Sequence, residues 1–472
     1  MRALAVTMPP VLLFLLGGCV MGPDFRQAPA PPASMGEAFA RAGSMEAAPS
    51  PRQTTWWRDL NDPLLDQLIG QALASNPSND IAQARVRQAR SQLRGAQASR
   101  APVVGSGAAV GDLRAPSILT GGPPQSSSVF LAGFDALWEI DVFGGWRRGA
   151  EAAEAGFEAA RAEAEGARLS LTAETTRTYL AYRGIQLQLG LARQALALQT
   201  RATELSGQLE TAGKISRVDH EAAERGLEAR RLAVNALEAE LNDFQDALAV
   251  LTGEAPGALD TVLAQVRPIP LPPASVTIEH PAAMLARRPD IRAAEHRLHI
   301  AYARIGVVEA ARMPSFTLAG VVGLGGAAEG DLDRTNNLFS LAGPSLQWNF
   351  ADFGRGRAGV DQAVAGRDEA EAAYQGAVLG ALRDAEGALN RYGEARQALG
   401  MQARTLASAH SGADLTQQAY RAGRSSVLDA IAAEGQRLAA ESALIQAQAE
   451  LTIRYVALQK ALAMGWEDDA AS

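Results

Sequence analysis

Hydrophobic and polar positions along this chain follow two periods. Phe130, Ala132, Phe134, Ala136, Trp138, Ile140 and Val142 fall on one side of an extended segment, opposite Asp135, Glu139 and Asp141. That alternation predicts a strand with one apolar face. Phe316, Leu318, Val322 and Leu324 alternate in the same way with Ser315, Thr317, Ala319 and Gly323, and Trp348 and Phe350 flank Asn349 in a strand that follows. Val103 to Val110 alternates less regularly and is read as the first strand of the earlier hairpin. The second period is helical. Trp146 to Gln208 carries no Pro, and at 1.5 Å per residue it spans roughly 95 Å as one helix. Leu191, Ala195, Leu198, Ala202, Leu205 and Leu209 keep heptad spacing, as do Val234, Leu237, Leu241, Phe244, Leu248 and Leu251, so these helices are expected to wind round one another.

The pattern occurs twice. Asn76-Pro77 and Arg288-Pro289 each open a helical stretch, which Arg100-Ala101-Pro102 and Arg312-Met313-Pro314 close. Trp138 and Trp348, Phe143-Gly144 and Phe353-Gly354, Tyr182 and Tyr392, Gly213 and Gly423, and Asp219 and Asp429 then pair at a constant spacing of about 210 residues, the mark of an internal duplication. Each copy reads helix, strand, loop, strand, very long helix, short break, long helix. Two hairpins provide four strands per chain, which is too few to close a barrel, and open edges in lipid leave backbone groups unsatisfied.

Composition narrows the class. The 472 residues are 47% hydrophobic but only 5% aromatic, and Ala at roughly a fifth of the chain favours close-packed helices over a thick core. Lys and Arg total 44 against 52 Asp and Glu, a formal net charge of −8, which argues against a nucleic-acid partner. One Cys excludes an intrachain disulfide framework and a multi-thiolate metal site. That Cys closes Leu16-Gly17-Gly18-Cys19, after Arg2 and an apolar run through Val11 to Leu16. This is a secretory-signal layout, too short to span a bilayer. The Cys is expected to carry lipid, the alternative being an ordinary buried thiol. The Pro- and Ala-rich stretch after Gly22-Pro23-Asp24-Phe25 reads as an extended tether, with ordered sequence from Trp56-Trp57.

Candidate residues follow from this layout. The breaks between the long helices fall at Gly213-Lys214-Ile215-Ser216 and Gly423-Arg424-Ser425-Ser426, each followed by an acid, Asp219 or Asp429. These acids are candidates for charged rings at a tunnel tip; the plainer reading places each in the first turn of a new helix, where the macrodipole favours an acid, and both can hold at once. Tyr420 and Arg424 are candidates for bonds that hold such a tip closed. Asp135, Glu139 and Asp141 are candidates for an aqueous lumen wall, and Trp138 and Trp348 for interfacial anchors. Other signals carry less. Gly354-Arg355-Gly356-Arg357-Ala358-Gly359 fits a dinucleotide fingerprint without a parallel βαβ setting. Asp352-Phe353-Gly354 lacks the other kinase signatures. His296 and His299 are read as a solvated face rather than a metal site. No convergent nucleophile, base or metal set appears, so no enzyme and no cofactor are expected.

Taken together, Leu16 to Cys19 with Gly22-Pro23-Asp24, Trp56-Trp57 with Asn61-Asp62-Pro63-Leu64, Asn76-Pro77, Arg287-Arg288-Pro289-Asp290-Ile291-Arg292-Ala293-Ala294-Glu295, Gly343-Pro344-Ser345-Leu346 with Trp348 and Phe353-Gly354, and Tyr420-Arg421-Ala422-Gly423 resemble the TolC/OprM-type outer-membrane efflux factor family in its lipoprotein, NodT-like branch. The resemblance implies a mixed α and β fold in which three protomers share one twelve-stranded outer-membrane β-barrel and a periplasmic α-barrel. It implies a passive efflux duct, lipid-anchored through Cys19 on the periplasmic side of the outer membrane of a Gram-negative bacterium. A periplasmic membrane-fusion adaptor and an inner-membrane transporter of RND type are the implied partners, and the second-copy tip, with Asp429, is the favoured gate. The same architecture serves type I protein secretion, and a lipid-anchored coiled-coil scaffold without a pore is a further alternative. The expected division is a signal peptide over 1–18, lipidated Cys and tether over 19–55, and a first repeat over 56–253 with its hairpin at 102–142 and long helices at 146–253. A linker over 254–280 leads to a second repeat over 281–465, with its hairpin at 314–353 and long helices at 355–465, and a tail over 466–472.

Overall fold

The computed structural model describes residues 20–31, 35–42, 55–115 and 125–464. Cys19, the signal segment and the C-terminal tail lie outside them. In chain order the elements are α1 (Pro63–Ser75), α2 (Pro77–Ala98), β1 (Val103–Ala115), β2 (Gln125–Ile140), α3 (Gly145–Thr211), α4 (Arg217–Leu251), the short α5 (Asp260–Leu263) and α6 (Pro281–Arg287), α7 (Pro289–Ala310), β3 (Ser315–Gly326), β4 (Leu338–Gln347), α8 (Arg355–Arg421) and α9 (Val427–Ala461). The duplication is visible in the element lengths. α2 and α7 each have 22 residues, α3 and α8 67, and α4 and α9 35. α3 and α8 are therefore each roughly 100 Å long. No helix among the described residues is long and apolar enough to cross a membrane.

Two compact units divide the chain, and each draws on both repeats. The first comprises the described residues of Met1–Ala30, Arg85–Arg161 and Ala293–Gln375; the second those of Pro31–Ala84, Ala162–Arg292 and Gly376–Ser472. The first unit contains a single antiparallel sheet in the order β1-β2-β3-β4. The hairpins of the two repeats join through β2 and β3, from Phe130 opposite Gly326 to Ile140 opposite Phe316. The strand expected over Val103–Val110 is present and runs on to Ala115.

The second unit packs around fully buried Trp56, Leu65, Leu68, Ile69, Tyr179, Leu180, Tyr182, Leu248, Leu263, Tyr392 and Tyr455. Asp62 starts α1, accepting from the N–H of Leu64 at 3.0 Å and of Leu65 at 3.4 Å, with Pro63 at the first helical position. Leu64, Leu65, Leu68, Ile69 and Ala72 then fall on one buried stripe of α1. The other oxygen of Asp62 accepts from Tyr179 Oη. Arg183, with no solvent exposure, lies between the rings of Tyr179 and Tyr182 at 5.0 and 5.4 Å and donates to Gln186 Oε1 at 2.6 Å and to Gln265 O at 2.7 Å. A buried guanidinium so bonded fixes the segment after α5 against α3. The Arg287-Arg288-Pro289-Asp290 stretch is structural in the same sense. Arg287 pairs with Glu279, and Arg288 bonds Asp290 and reaches Ala461 O at 2.9 Å.

Three sequence expectations change. β2 stops at Ile140, so Asp141 and Val142 lie beyond it, and β4 stops at Gln347, so Trp348, Asn349 and Phe350 follow the strand rather than form it. The alternation in the sequence runs past the end of the ladder, while the Asp141 side chain itself is drawn to the start of α3. Within its described residues, the stretch read as an extended tether is docked on the protein. Met21 N–H donates to Phe143 O at 3.1 Å, and Gly22, at φ +85°, lies so close to α7 that a Cβ there would come within 2.4 Å of Gly306 Cα. Within the second unit, the N–H groups of Ala40 and Arg41 clasp the Glu386 carboxylate at 2.7 and 2.9 Å. Finally, His299 is half-buried and partnered rather than simply solvated. Its Nε2 meets Glu151 Oε1 at 2.8 Å and its ring stacks on Phe25 at 4.6 Å.

Candidate functional site

The sheet has two chemically distinct faces, and the register defines them. Directly paired residues share a face. One face carries Val104, Ser106, Ala108 and Val110 from β1, Phe130, Ala132, Phe134, Ala136, Trp138 and Ile140 from β2, Phe316, Leu318, Val322 and Leu324 from β3, and Leu338, Ser340, Ala342, Pro344 and Leu346 from β4. It is apolar nearly throughout, and Phe134, Leu338 and Leu346 are exposed on it. The opposite face mixes glycines, Gly105, Gly107, Gly111, Gly133, Gly323, Gly325 and Gly343, with Val103, Leu131, Leu137, Val321, Phe339 and Leu341, and includes Asp135 and Glu139. A Cβ on Gly105 would stand 2.8 Å from Asp135 Oδ1, so that carboxylate lies over β1 and glycine makes room for it. Asp135 and Glu139 thus occupy the side expected of them. Asp141 does not. Its carboxylate accepts from Trp146 N at 3.2 Å and from Arg147 N at 3.0 Å and pairs with the Arg147 guanidinium, so it caps α3.

Trp138 and Trp348 do matching work in the two repeats. Each indole N–H donates to the carbonyl at the end of the preceding helix, Trp138 to Arg100 O at 2.9 Å and Trp348 to Arg312 O at 3.2 Å. Each ring therefore fastens the end of a strand to the end of a helix while remaining partly exposed, an arrangement suited to Trp because one end of its ring is polar.

The turns between the long helices are built alike. After α3, Gly213 N–H bonds Glu210 O and Lys214 N–H bonds Leu209 O, both at 2.8 Å; after α8, Gly423 bonds Tyr420 O at 2.9 Å and Arg424 bonds Ala419 O at 2.8 Å. With φ of +65° and +69° at the glycines, these are Schellman endings, which need a residue without a Cβ penalty. The next helices open with capping boxes. Ser216 Oγ accepts from Asp219 N at 3.2 Å while Asp219 Oδ2 accepts from Ser216 N and Oγ at 3.1 and 2.7 Å. Ser426 and Asp429 repeat the motif at 3.1, 2.9 and 2.7 Å. In both acids the hydrogen bonds from the serine hold the carboxyl below its ordinary range. The side chains of Tyr420 and Arg424 enter no hydrogen bond or ion pair within the protomer among the described residues; Tyr420 is exposed.

The two helix pairs differ in their stitching. Between α3 and α4, Gln199 and Thr203 donate to Ala223 O, both at 3.1 Å, Ser206 Oγ meets His220 Nδ1 at 2.7 Å, and Arg193 pairs with Glu238. The matching positions of α8 and α9 carry Ala409, Ala413, Thr416, Ala430, Ala403 and Gln448, and no corresponding side-chain bonds join that pair among the described residues.

One cluster was not foreseen. Arg148, 5% exposed, donates from Nε to Met21 O at 3.0 Å, from Nη2 to Gly22 O at 3.2 Å and to Asp24 Oδ1 at 2.6 Å, and from Nη1 to Glu151 Oε2 at 2.7 Å. The segment just after Cys19 is thereby clamped to α3 and α7. Among the described residues no group of three or more His, Cys, Asp or Glu is placed to hold a metal ion.

A chain whose four-stranded sheet has a largely apolar face, joined to duplicated helices of this length, is matched by a family model. The model described as outer membrane efflux protein fits residues 68–254 and 281–464. The chain belongs to the outer membrane efflux protein family. OprJ of Pseudomonas aeruginosa, an outer membrane protein, is 29% identical over 99% of this efflux protein and 98% of its own length. Nodulation protein T of Rhizobium leguminosarum bv. trifolii is 29% identical over 97% of both chains. The solved structure of the outer-membrane channel OprN is 32% identical, covers 95% of this chain and 100% of its own, and superimposes with a TM-score of 0.86. The efflux protein is thus an outer-membrane protein with a channel fold.

Proposed function

We propose that the protein is one third of a trimeric duct that exports drugs or other small toxic compounds across the outer membrane. The observation that carries this reading is the sheet with an apolar face and two open edges. β1 and β4 are outermost, and in lipid their free N–H and C=O groups need partners. Pairing β1 of one copy with β4 of the next closes twelve strands from three chains, turns the apolar face to lipid and encloses the glycine-rich face with Asp135 and Glu139. The heptad residues of α3 and α4 support the helical part of the tube. Leu191, Val234 and Leu248 are buried, and the other seam positions are partly covered.

The duct performs no chemistry and needs no cofactor. A periplasmic adaptor docks it to an inner-membrane pump, of the proton-driven RND type, which does the work of transport. The turns at Gly213 and Gly423 form the periplasmic end. There Asp219 and Asp429 cap their helices and also supply rings of negative charge, and the less stitched α8–α9 pair is the one that shifts on opening. Lipid on Cys19 adds the anchor, with the clamped Val20–Phe25 segment holding it beside the sheet.

Light scattering of the purified protein, with planar-bilayer conductance, tests this reading. Trimers that conduct are expected. Stable monomers that never conduct would refute the duct and favour a scaffold.

A further inference from the structure

The junctions between sheet and long helix are equivalent in sequence but not in surroundings. In the first repeat Phe143 is half-buried, a Cβ on Gly144 would touch Val20 at 3.0 Å, Arg147 pairs with Asp141, and Arg148 is held by Asp24 and Glu151. In the second repeat Phe353 is 96% exposed and Gly354 has nothing within contact distance. Arg355 and Arg357 are exposed and enter no ion pair among the described residues. Asp352, the acid beside them, is occupied by the N–H groups of Gly354 and Gly356 at 3.0 and 2.7 Å, with Arg312 lying over Gly356. The balance of charge at this junction is positive. Trp348 and Phe350, their rings 6.1 Å apart, keep the parity of the apolar face beyond Leu346. Phe353 has φ +52°, a left-handed conformation that costs a non-glycine residue energy and sends a bare ring outward.

We propose that this second-repeat junction binds an anionic phospholipid of the periplasmic leaflet, with Trp348, Phe350 and Phe353 at the acyl–headgroup boundary and Arg355 and Arg357 on the phosphate. The inference rests on the membrane-duct reading. Continuity with the apolar face places the rings at the edge of the lipid, and the unpaired guanidiniums match a phosphate in charge. The first repeat needs no such ligand, because the segment after Cys19 already covers its junction.

The test uses the full-length protein in phosphatidylcholine nanodiscs titrated with phosphatidylglycerol, reading retained lipid by native mass spectrometry. Brominated acyl chains then serve as quenchers in wild type against Trp348→Phe. Arg355→Gln/Arg357→Gln is expected to weaken the preference for phosphatidylglycerol about 10- to 30-fold, from the strength of two basic residues at an anionic surface. Phe353→Asn, which tolerates the left-handed backbone, is expected to fold and to lose quenching at Trp348. An unchanged lipid preference in a conducting double variant overturns the lipid site and leaves the duct intact. So does Phe353→Cys cross-linking efficiently to a neighbouring protomer regardless of lipid, because the junction is then a protomer contact. Wild-type protein that neither conducts nor floats with vesicles refutes the duct reading itself.

Discussion

Arg148→Met is the sharpest probe of how the segment after Cys19 is held. The substitution keeps an apolar stem of similar length and removes all four donor contacts. Asp24 is 71% exposed, so its pair contributes little, about 0.5 kcal/mol or less. The two carbonyl bonds, from a side chain only 5% exposed to Met21 O and Gly22 O, contribute about 1.5 kcal/mol each at the low end for charged donors. Docking therefore weakens by about 3 kcal/mol. Ordering Val20 to Phe25 costs roughly 1–2 kcal/mol per residue, so the clamp, the Phe25 stack on His299 and the close Gly22–Gly306 approach act against a cost of similar size. A loss of about 3 kcal/mol raises the released population roughly a hundredfold. Limited proteolysis within residues 20–31 reports that population when opening is fast, and the expected rise in cleavage rate is about a hundredfold, with the melting of the helices unchanged. Gly306→Ala reaches the same state by sterics, since its Cβ would stand 2.5 Å from Met21 O and 2.7 Å from Arg148 Cγ. Cleavage within about threefold of wild type in both variants would refute the clamp.

The clamp also has a direction in pH. Burial pushes the Glu151 carboxyl up, but its bonds from Arg148 and His299 outweigh that and hold it below the ordinary 4.5. A depressed carboxyl stabilises fully above its unfolded value and loses that contribution as pH falls through the folded value. Cleavage should therefore stay at its floor at neutral pH and rise only on acidification below 4.5. A rise that already sets in near neutral pH would contradict the control assigned to Glu151.

Three further outcomes follow. Asp429→Ala should raise single-channel conductance or leakiness to bulky antibiotics, whereas Ser426→Ala, which keeps the charge and weakens the cap by about 1 kcal/mol, should not; equal effects would assign the change to fraying of α9. Because the Ser426 bonds hold the Asp429 carboxyl below its ordinary 3.8, the difference should persist to below that pH and vanish as pH falls through the lowered value. Trp138→Phe and Trp348→Phe each remove one indole bond to a helix-end carbonyl and should each cost about 1 kcal/mol in denaturant unfolding; no loss would show that the rings act only as surface. Arg183→Met leaves Gln265 O and the Tyr179 and Gln186 side chains without their donor and should destabilise the second unit by about 3 kcal/mol or more, seen as earlier loss of helical signal on heating, and an unchanged melt would contradict the role given to that guanidinium.

How far the sequence carries depends on where the information lies. The duplication and the turns are local, and both are legible: a helix ending in Gly213 or Gly423 and restarting at Ser-x-x-Asp specifies a Schellman ending and a capping box from neighbouring residues alone. β1 is hard to read because both of its faces are small. Gly105, Gly107 and Gly111 lie opposite Val104, Ser106 and Val110, and contrast arises only when β2 adds Phe130, Phe134 and Trp138 to one side and Asp135 to the other. The strand ends are misread for the opposite reason: Asp141 keeps the alternation but is drawn off by two N–H groups of α3, a competition invisible to a period-two pattern. The clamp is the hardest case, since Arg148, Glu151, His299 and Gly306 belong to two helices far apart in sequence, and Gly22-Pro23-Asp24-Phe25 has no periodicity to betray docking. The candidate gate shows why legibility is not assignment. Ser-x-x-Asp is fully accounted for by helix capping in both repeats, so the motif that makes Asp219 and Asp429 easy to find cannot also be evidence that they gate. What separates the two acids is their setting. Ser206 and His220 stitch the helices beside Asp219, whereas Thr416 and Ala430 occupy the same places beside Asp429, and it is that difference which makes the second tip the one to perturb.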